Sequence, residues 1–230
     1  MDDPFVSIVV PAYNEAATIE ELLRRLGTVP FRTEVIVVDD GSTDGTGDLA
    51  AAVEGVRLIR RPRNAGKGAA VRDGIAATTG AIVVIQDADL EYDPGDIPKL
   101  LDPLLRGAAD AVYGTRLRGG EPQRAHLFWH YAGNRFLSLV TNVLFNTTIS
   151  DMEVGYKAFR GELVRSIPLR SNDFRFEAEI TAKLLRHPSN VRLYEVPISY
   201  YGRSYAEGKK ITWRDGFGAV AALLRFRFTR

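Results

Sequence analysis

Three carboxylates stand at alternate positions in the segment Asp87–Glu91, directly after the apolar run Ala81–Ile85. Three like charges this close repel one another unless a cation or another partner compensates them. Their oxygens are the ligands that Mg²⁺ and Mn²⁺ take in proteins, together with substrate phosphates. The segment therefore favours a divalent-metal site. An acidic loop that caps the following helix is the alternative.

A second acidic cluster, Asp39 and Asp40, follows the apolar run Val35–Val38. Carboxylates at the end of a strand can accept hydrogen bonds from a base or a ribose. The glycines of the next segment, Gly41–Thr46, let a backbone approach a ligand closely. A turn that caps the next helix, with Ser42 or Asp44 as the cap, is equally compatible with this pattern.

Three other patterns argue against well-known kinds of site. Asn64–Gly68 is rich in glycine but lacks the Walker spacing, so close helix packing explains it better than a P-loop. His126 and His130 lie four residues apart, but no Glu follows His126 and no third ligand is evident, which argues against zinc. No G-x-S-x-G segment is present, which argues against a serine hydrolase of that type.

Alternating strands and helices place the acidic clusters at strand ends. The first helix has Asn14 as a candidate N-cap, an apolar stripe within Ile19–Leu26, and Gly27 at its end. We predict strands at Phe5–Val10, Val35–Val38, Val56–Ile59, Ala81–Ile85 and Ala111–Tyr113, with helices between them. This alternation predicts an α/β fold with a mostly parallel sheet covered by helices on both faces. Such sheets bind ligands at the carboxyl ends of their strands.

The second half of the chain is less regular. We predict helices at Arg124–Phe145, Glu177–Arg186 and Ile211–Phe228, strands at Tyr156–Phe159 and Val191–Val196, and loops at Asp151–Gly155 and Tyr200–Lys210. The last helix would carry Trp213, Phe217, Val220 and Leu224 on one face. That face either packs against the sheet or lies at a membrane interface. No apolar stretch is long enough to span a bilayer, no signal peptide is visible, and no linker divides the chain.

Composition narrows the classes of protein further. The 45% hydrophobic and 10% aromatic content excludes a disordered chain, and the absence of cysteine excludes disulfides and Cys-ligated metals. The net charge of +1 gives no indication of nucleic-acid binding. That total hides a division, because residues 1–110 carry a net charge of −8 and residues 111–230 a net charge of +9.

In this order and spacing, the motifs resemble the family-2 glycosyltransferases of GT-A fold. The segments that carry the resemblance are Val9–Glu15, Val38–Thr46, Asn64–Gly68 and Asp87–Asp89. Gly114–Arg116, Asp151–Lys157 and Tyr205–Lys210 further resemble the polyprenyl-phosphate sugar transferases, which are the dolichyl-phosphate mannose and glucose synthases and their bacterial relatives. The resemblance implies one Rossmann-like, three-layer αβα domain over residues 1–230. Residues 1–115 would bind the nucleotide sugar and metal, and residues 116–230 the acceptor, with an amphipathic helix at the end.

The resemblance also implies roles for residues on the donor side. Asp89 would bind Mg²⁺ or Mn²⁺ and take part in catalysis, and Asp87 and Glu91 would assist as ligands. Glu91 falls where some of these synthases have Gln. The residues implied in binding the nucleotide-diphosphate sugar are Pro11, Tyr13, Glu15, Asp39, Lys67 and Asp87. The nucleotide and sugar stay open between UDP-glucose-like and GDP-mannose-like donors, with a lean towards UDP.

On the acceptor side, the resemblance implies inverting transfer to a polyprenyl phosphate at the cytoplasmic face of a membrane. A lipid phosphate is already an anion, so it needs positioning rather than deprotonation. The candidates to grip it are Arg116, Arg135, Arg203, Lys209 and Lys210, with Arg116 also counted as catalytic. If the acceptor is instead a soluble or polysaccharide hydroxyl, Asp151 is the candidate base. A catalytically silent nucleotide-sugar-binding module and a nucleotidyltransferase are further alternatives.

Overall fold

The structure is a computed structural model that describes residues 5–122, 124, 127–203 and 213–229, with the backbone alone at 213–215. The strands are β1 Val6–Ala12, β2 Thr33–Asp39, β3 Val56–Arg60, β4 Ile82–Ile85, β5 Ala111–Thr115, β6 Lys157–Arg160 and β7 Leu193–Pro197. The helices are α1 Ile19–Leu26, α2 Thr46–Ala51, α3 Lys67–Ala77, α4 Ile97–Leu105, α5 Phe128–Phe145, α6 Gly161–Ser166, α7 Phe176–Leu185 and α8 Trp213–Phe228. A short 3₁₀ helix, Pro94–Asp96, precedes α4.

The described strands form one seven-stranded sheet in the order β3-β2-β1-β4-β6-β5-β7. β6 runs antiparallel to both its neighbours, and the other pairings are parallel. Every residue of β1 and β4 is buried, as expected for continuous apolar runs covered on both faces. The predicted α/β fold with a mostly parallel sheet is confirmed.

Helices cover both faces of the sheet. α3 packs on β1 and β2 and is joined by α6 and α7, while α4 packs on β5 and β6 and α1 packs on α2. α1 buries Ile19, Leu22, Leu23 and Leu26, the stripe expected from the sequence. The arrangement is therefore the expected three-layer αβα sandwich.

Asn14 is not the N-cap of α1, contrary to the sequence-based prediction. The helix begins at Ile19, after Thr18. Asn14 lies in the left-handed region, with φ of 51°, and its side-chain oxygen accepts a hydrogen bond from the Thr43 N–H at 2.9 Å. It therefore ties the loop after β1 to the loop after β2, where both meet at one edge of the sheet.

A second apolar cluster joins α8 to α5 and α7 rather than to the sheet. α8 buries Ala219, Ala222, Leu223 and Phe226 in it. Phe217 is 71% exposed and Leu224 is 44% exposed. Of the two alternatives left open for the predicted apolar face of this helix, packing against the sheet therefore does not hold for these two side chains. Within the described ranges, no helix is both long and apolar enough to cross a membrane.

Candidate active site

A cavity of about 750 Å³ lies where the parallel strands of the sheet end. We call it the strand-end cavity; its charged lining residues are Glu15, Asp40, Lys67, Asp87, Asp89, Glu91, Arg116, Arg124, Glu153, Glu177 and Arg203. Its size is that of a site for a small molecule or cofactor. Because β6 is antiparallel, the loop before β6 reaches the same edge as the ends of β1, β4 and β5.

The residues after β1 and β2 line one end of the cavity. Pro11, Tyr13 and Glu15, predicted to bind the donor, all lie there. Asp39 is not among the lining residues; its carboxylate accepts a hydrogen bond from the Ser42 N–H at 2.9 Å within the turn. The next residue, Asp40, faces the cavity instead, a difference of one position in a two-acid motif.

Lys67 supplies a buried cation at the end of β4. Gly66 precedes it with φ of 101°, and a Cβ there would lie 2.5 Å from the Asn172 carbonyl oxygen. The backbone at Gly66 is therefore not helical, and α3 begins at Lys67. Lys67 Nζ lies 2.8 Å from Asp87 Oδ1 and 3.3 Å from Glu177 Oε1. Burial alone would lower the pKa of Lys67, but these two carboxylates raise it above its ordinary value.

The three predicted metal ligands are close together but already partnered. Asp87 is paired with Lys67, and Asp89 Oδ2 lies 3.1 Å from a guanidinium nitrogen of Arg203. Glu91 accepts hydrogen bonds from the Tyr200 hydroxyl at 2.9 Å and the Arg203 N–H at 2.7 Å. Accordingly, no group of three or more acidic or His side chains in the described part of the chain is arranged to hold a metal ion.

The three carboxylates are not arranged to hold an ion in this structure, but their charge and their oxygen atoms still suit a divalent cation. Burial, followed by the negative charges of Asp87 and Glu91, raises the pKa of Asp89 to about 7. A carboxylate crowded by two others gains from a hard cation with oxygen ligands. Arg203 already supplies part of the positive charge that these acids need. Its guanidinium contacts Asp89, and it also contacts both Glu15 oxygens at 3.1 Å. Arg203, predicted to bind the acceptor, therefore lies on the donor side.

Arg116 and Asp151 form a buried pair at the end of β5. Arg116 Nε lies 2.7 Å from Asp151 Oδ2, its NH2 group lies 2.7 Å from Oδ1, and its backbone N–H also donates to Oδ2. Asp151 is fully buried, and Arg116 lies 5.1 Å from the Tyr200 ring centre. Burial would lower the pKa of Arg116, but Asp151 holds it well above its usual range. Because both carboxylate oxygens are engaged, Asp151 positions Arg116, and its predicted role as a base gains no support.

The remaining acceptor candidates do not join the site in the described structure. Arg135 is exposed on α5 and does not line the cavity. Lys209, Lys210 and His126 lie outside the described residues. His130 lines the cavity, near the start of α5.

The sequence reasoning missed several lining residues. Tyr92 is buried and stacks on Tyr156 at 5.4 Å between ring centres, and its hydroxyl accepts a hydrogen bond from the Gly155 N–H. Glu177 comes from α7 and contacts both Lys67 and the fully buried Lys157. Tyr92 and Glu177 lie outside the quoted segments, whereas Glu153 had a signal, since it lies inside the segment Asp151–Lys157.

Comparison with known proteins gives a consistent picture. The family described as "Glycosyl transferase family 2" matches residues 7–167. A "Dolichol-phosphate mannosyltransferase" of Pyrococcus furiosus is 29% identical over 89% of this chain, but the match spans only 58% of that protein. An "Undecaprenyl-phosphate mannosyltransferase" of Micrococcus luteus is 31% identical over 89% of this chain and 86% of its own length.

The solved structures that resemble this fold include the glucosyl-3-phosphoglycerate synthase of Mycobacterium tuberculosis with Mn²⁺, UDP and glucosyl-3-phosphoglycerate. It superposes with a TM-score of 0.76 and 26% identity, covering 97% of this chain and 80% of its own. A further structure of that synthase holds Mn²⁺, UDP and phosphoglyceric acid, with a TM-score of 0.77.

Proposed function

Because the chain belongs to glycosyl transferase family 2 and is a glycosyltransferase, we propose that it moves a hexose from a nucleotide-diphosphate sugar to a polyprenyl phosphate, with inversion and with Mn²⁺ or Mg²⁺. The names of the Pyrococcus and Micrococcus relatives support a lipid-phosphate acceptor. The Mn²⁺ and UDP in the mycobacterial structures support the donor and the metal.

On the donor side, the chain offers oxygens for a metal and a cation for phosphate. Asp89 and Glu91, with Asp87, would hold the ion, which neutralises charge on the departing nucleoside diphosphate. Lys67 presents an ammonium held in place by two acids, and it adds positive charge that needs no reorganisation during the reaction. Tyr13 and Asp40 lie at the end suited to the nucleoside.

The observation that carries the acceptor assignment is the Arg116–Asp151 pair. Asp151 engages Arg116 through two guanidinium contacts of 2.7 Å, which fixes the cation at the cavity wall. A fixed guanidinium suits a phosphate, which it can bind through two parallel hydrogen bonds. An acceptor that is already an anion needs no base to remove a proton. This agrees with Asp151, whose two carboxylate oxygens are both engaged by Arg116.

An exposed apolar surface begins beside the cavity and supports a lipid acceptor at a membrane surface. Phe128 and Tyr131, at the start of α5, line the cavity. On the same helix Trp129 is 81% exposed, and Phe136 and Val143 are more than half exposed. These three residues, seven positions apart, form one stripe. We infer peripheral contact with the cytoplasmic face of a membrane through this stripe.

The test is a donor and acceptor screen on the purified chain. UDP- and GDP-hexoses are offered with Mn²⁺, and undecaprenyl phosphate in vesicles competes with phosphoglycerate, which the mycobacterial structures suggest as a soluble rival. We expect glycolipid as the product, and Asp89→Ala should lower kcat by about 100-fold or more. Asp102→Ala on α4, outside the cavity, is the control. Transfer to phosphoglycerate alone, or no donor binding, contradicts the proposal.

A further inference from the structure

Glu153 is a half-buried acid of the strand-end cavity that no step of the proposed reaction uses. It lines the cavity from the loop before β6, and its Oε1 is buried without a hydrogen-bond partner in the described part of the chain. Buried polar atoms nearly always have a partner, and an orphaned one needs an explanation. A bound ligand that supplies the partner is one such explanation.

The backbone around Glu153 is held rigidly on both sides. The buried ammonium of Lys157 donates to the Met152 carbonyl at 3.2 Å and also to the Val154 carbonyl. The Met152 N–H donates to Ser138 Oγ at 3.1 Å, and the side chains of Met152 and Val154 are fully buried. The carboxyl of Glu153 is therefore presented to the cavity by a preorganised loop rather than by a mobile one.

The order of the strands indicates which part of a bound ligand would lie near the loop that carries Glu153. From β2 towards β5, the edge of the sheet presents Asp40, then Asp87 after β4, then the loop before β6, then Arg116 after β5. The loop sits close to the β4 end, because a Cβ at Gly155 would collide with the Asp87 carboxylate. If the nucleoside lies at β1 and β2 and the acceptor phosphate at Arg116, the sugar between them lies over β6.

We propose that Glu153 hydrogen-bonds a hydroxyl of the sugar being transferred and thereby helps to select the donor. This inference rests on the proposed function, since it takes the donor and acceptor ends of the cavity from it. A site built to hydrogen-bond a hydroxyl discriminates strongly against ligands that leave the buried group unpaired.

The protonation of Glu153 is compatible with this role. Burial, followed by the charge of Glu177, raises the pKa of Glu153 to about 7. Near neutrality the carboxyl can therefore donate a hydrogen bond as well as accept one.

The experiment compares how the sugar moiety affects binding in matched variants. Dissociation constants of UDP, GDP and their hexose derivatives are measured by calorimetry with Mn²⁺ for wild type, Glu153→Ala, Glu153→Gln and Glu162→Ala. Glu162 is exposed on α6 and serves as the control. We expect Glu153→Ala to weaken nucleotide-sugar binding by about 10-fold while the free nucleoside diphosphate is unaffected. Glu153→Gln should stay within about 3-fold of wild type, because its amide still pairs with a hydroxyl.

The outcomes separate this inference from the proposed function. If wild type binds no nucleotide sugar, the proposed function fails and the inference falls with it. If wild type binds one but Glu153→Ala weakens sugar and nucleotide equally, or neither, the inference alone is overturned. If Glu153→Ala leaves sugar binding intact while Glu153→Gln abolishes turnover, Glu153 is a base for a hydroxyl acceptor rather than a ligand of the sugar, which also overturns the inference.

Discussion

Arg203 lies among the acids that are predicted to bind the donor and the metal, and its positive charge compensates theirs. Its guanidinium contacts Asp89 and both oxygens of Glu15, and its backbone N–H binds Glu91. If neither a metal nor Arg203 were present, these carboxylates would repel one another in a partly buried site. Arg203 would therefore act as an internal counter-ion, and a divalent metal bound by these acids would partly displace it.

We expect Arg203→Gln to strengthen Mn²⁺ binding by about 5-fold, because the ion no longer competes with a charge-assisted contact. The measurement is the loss of the free-ion electron paramagnetic resonance signal during titration of the protein with Mn²⁺. Arg175→Gln, which removes an exposed pair with Asp173, should leave the affinity unchanged. Weaker Mn²⁺ binding in Arg203→Gln would show that Arg203 supports the ion rather than opposing it.

For individual residues, the sequence predicted which charged side chains line the cavity better than it predicted which side chains they pair with. Asp87, Asp89 and Arg116 were expected in the site because they follow predicted strands, and Lys67 because the family resemblance implied it. The structure brings all four to one cavity. Pairing across long separations has no local signal. Arg203 reaches Glu15 from 188 positions away, and no spacing rule applies at that distance.

The helices α5 and α8 differ from the other helices of the fold because they leave large apolar side chains exposed. α5 buries Leu137, Ser138 and Thr141 and exposes the opposite stripe through Phe136 and Val143. A contiguous exposed apolar surface on a protein marks an interaction site more often than scattered apolar residues do. α8 adds Phe217 and Phe228, which are 71% and 77% exposed.

Removal of this stripe should weaken membrane binding without affecting the donor site. We expect Trp129→Ala combined with Phe136→Ala to lower partition onto anionic vesicles by about 10-fold or more, since each side chain loses apolar burial in the lipid interface. Co-sedimentation with vesicles measures this, and calorimetry checks that donor binding is retained. Tyr194→Ala on the edge strand β7 removes an aromatic side chain that is 47% exposed, away from the stripe, and is the control. Equal losses in both proteins would contradict a specific stripe.

A comparison of the predicted and observed helices and strands shows how far hydrophobic periodicity can predict them. The buried runs of β1 and β4 and the stripe of α1 were predicted, because one hydrophobic period dominates each segment. In α8 apolar residues occur on more than one face, and the sequence pattern left open whether the face with Phe217 and Leu224 is packed or exposed. The six-residue helix α6 is too short to carry a periodic signal and was not predicted.

Over the whole molecule, the charge division coincides with a division of the fold. Residues 1–110, with a net charge of −8, include β1 to β4 and the acids proposed to hold the metal. Residues 111–230, with a net charge of +9, include Arg116 and the helices α5, α7 and α8. A nearly neutral protein can therefore present opposite potentials to a cation and to an anionic surface.

This division predicts a salt-dependent attraction to anionic membranes that originates in the second half alone. Arg225→Gln, at an exposed position of α8, should weaken binding to anionic vesicles by about 5-fold, the effect of one basic residue near a charged leaflet. Arg32→Gln, also exposed but in the acidic half, should not change it. Raising NaCl from about 50 to 300 mM should reduce the difference between Arg225→Gln and wild type, because the screening length shortens. Equal effects of the two substitutions, or a difference that persists at high salt, would refute electrostatic docking through this half. Neutral phosphatidylcholine vesicles, which lack the charge, separate the apolar contribution of α5 from that of the arginines.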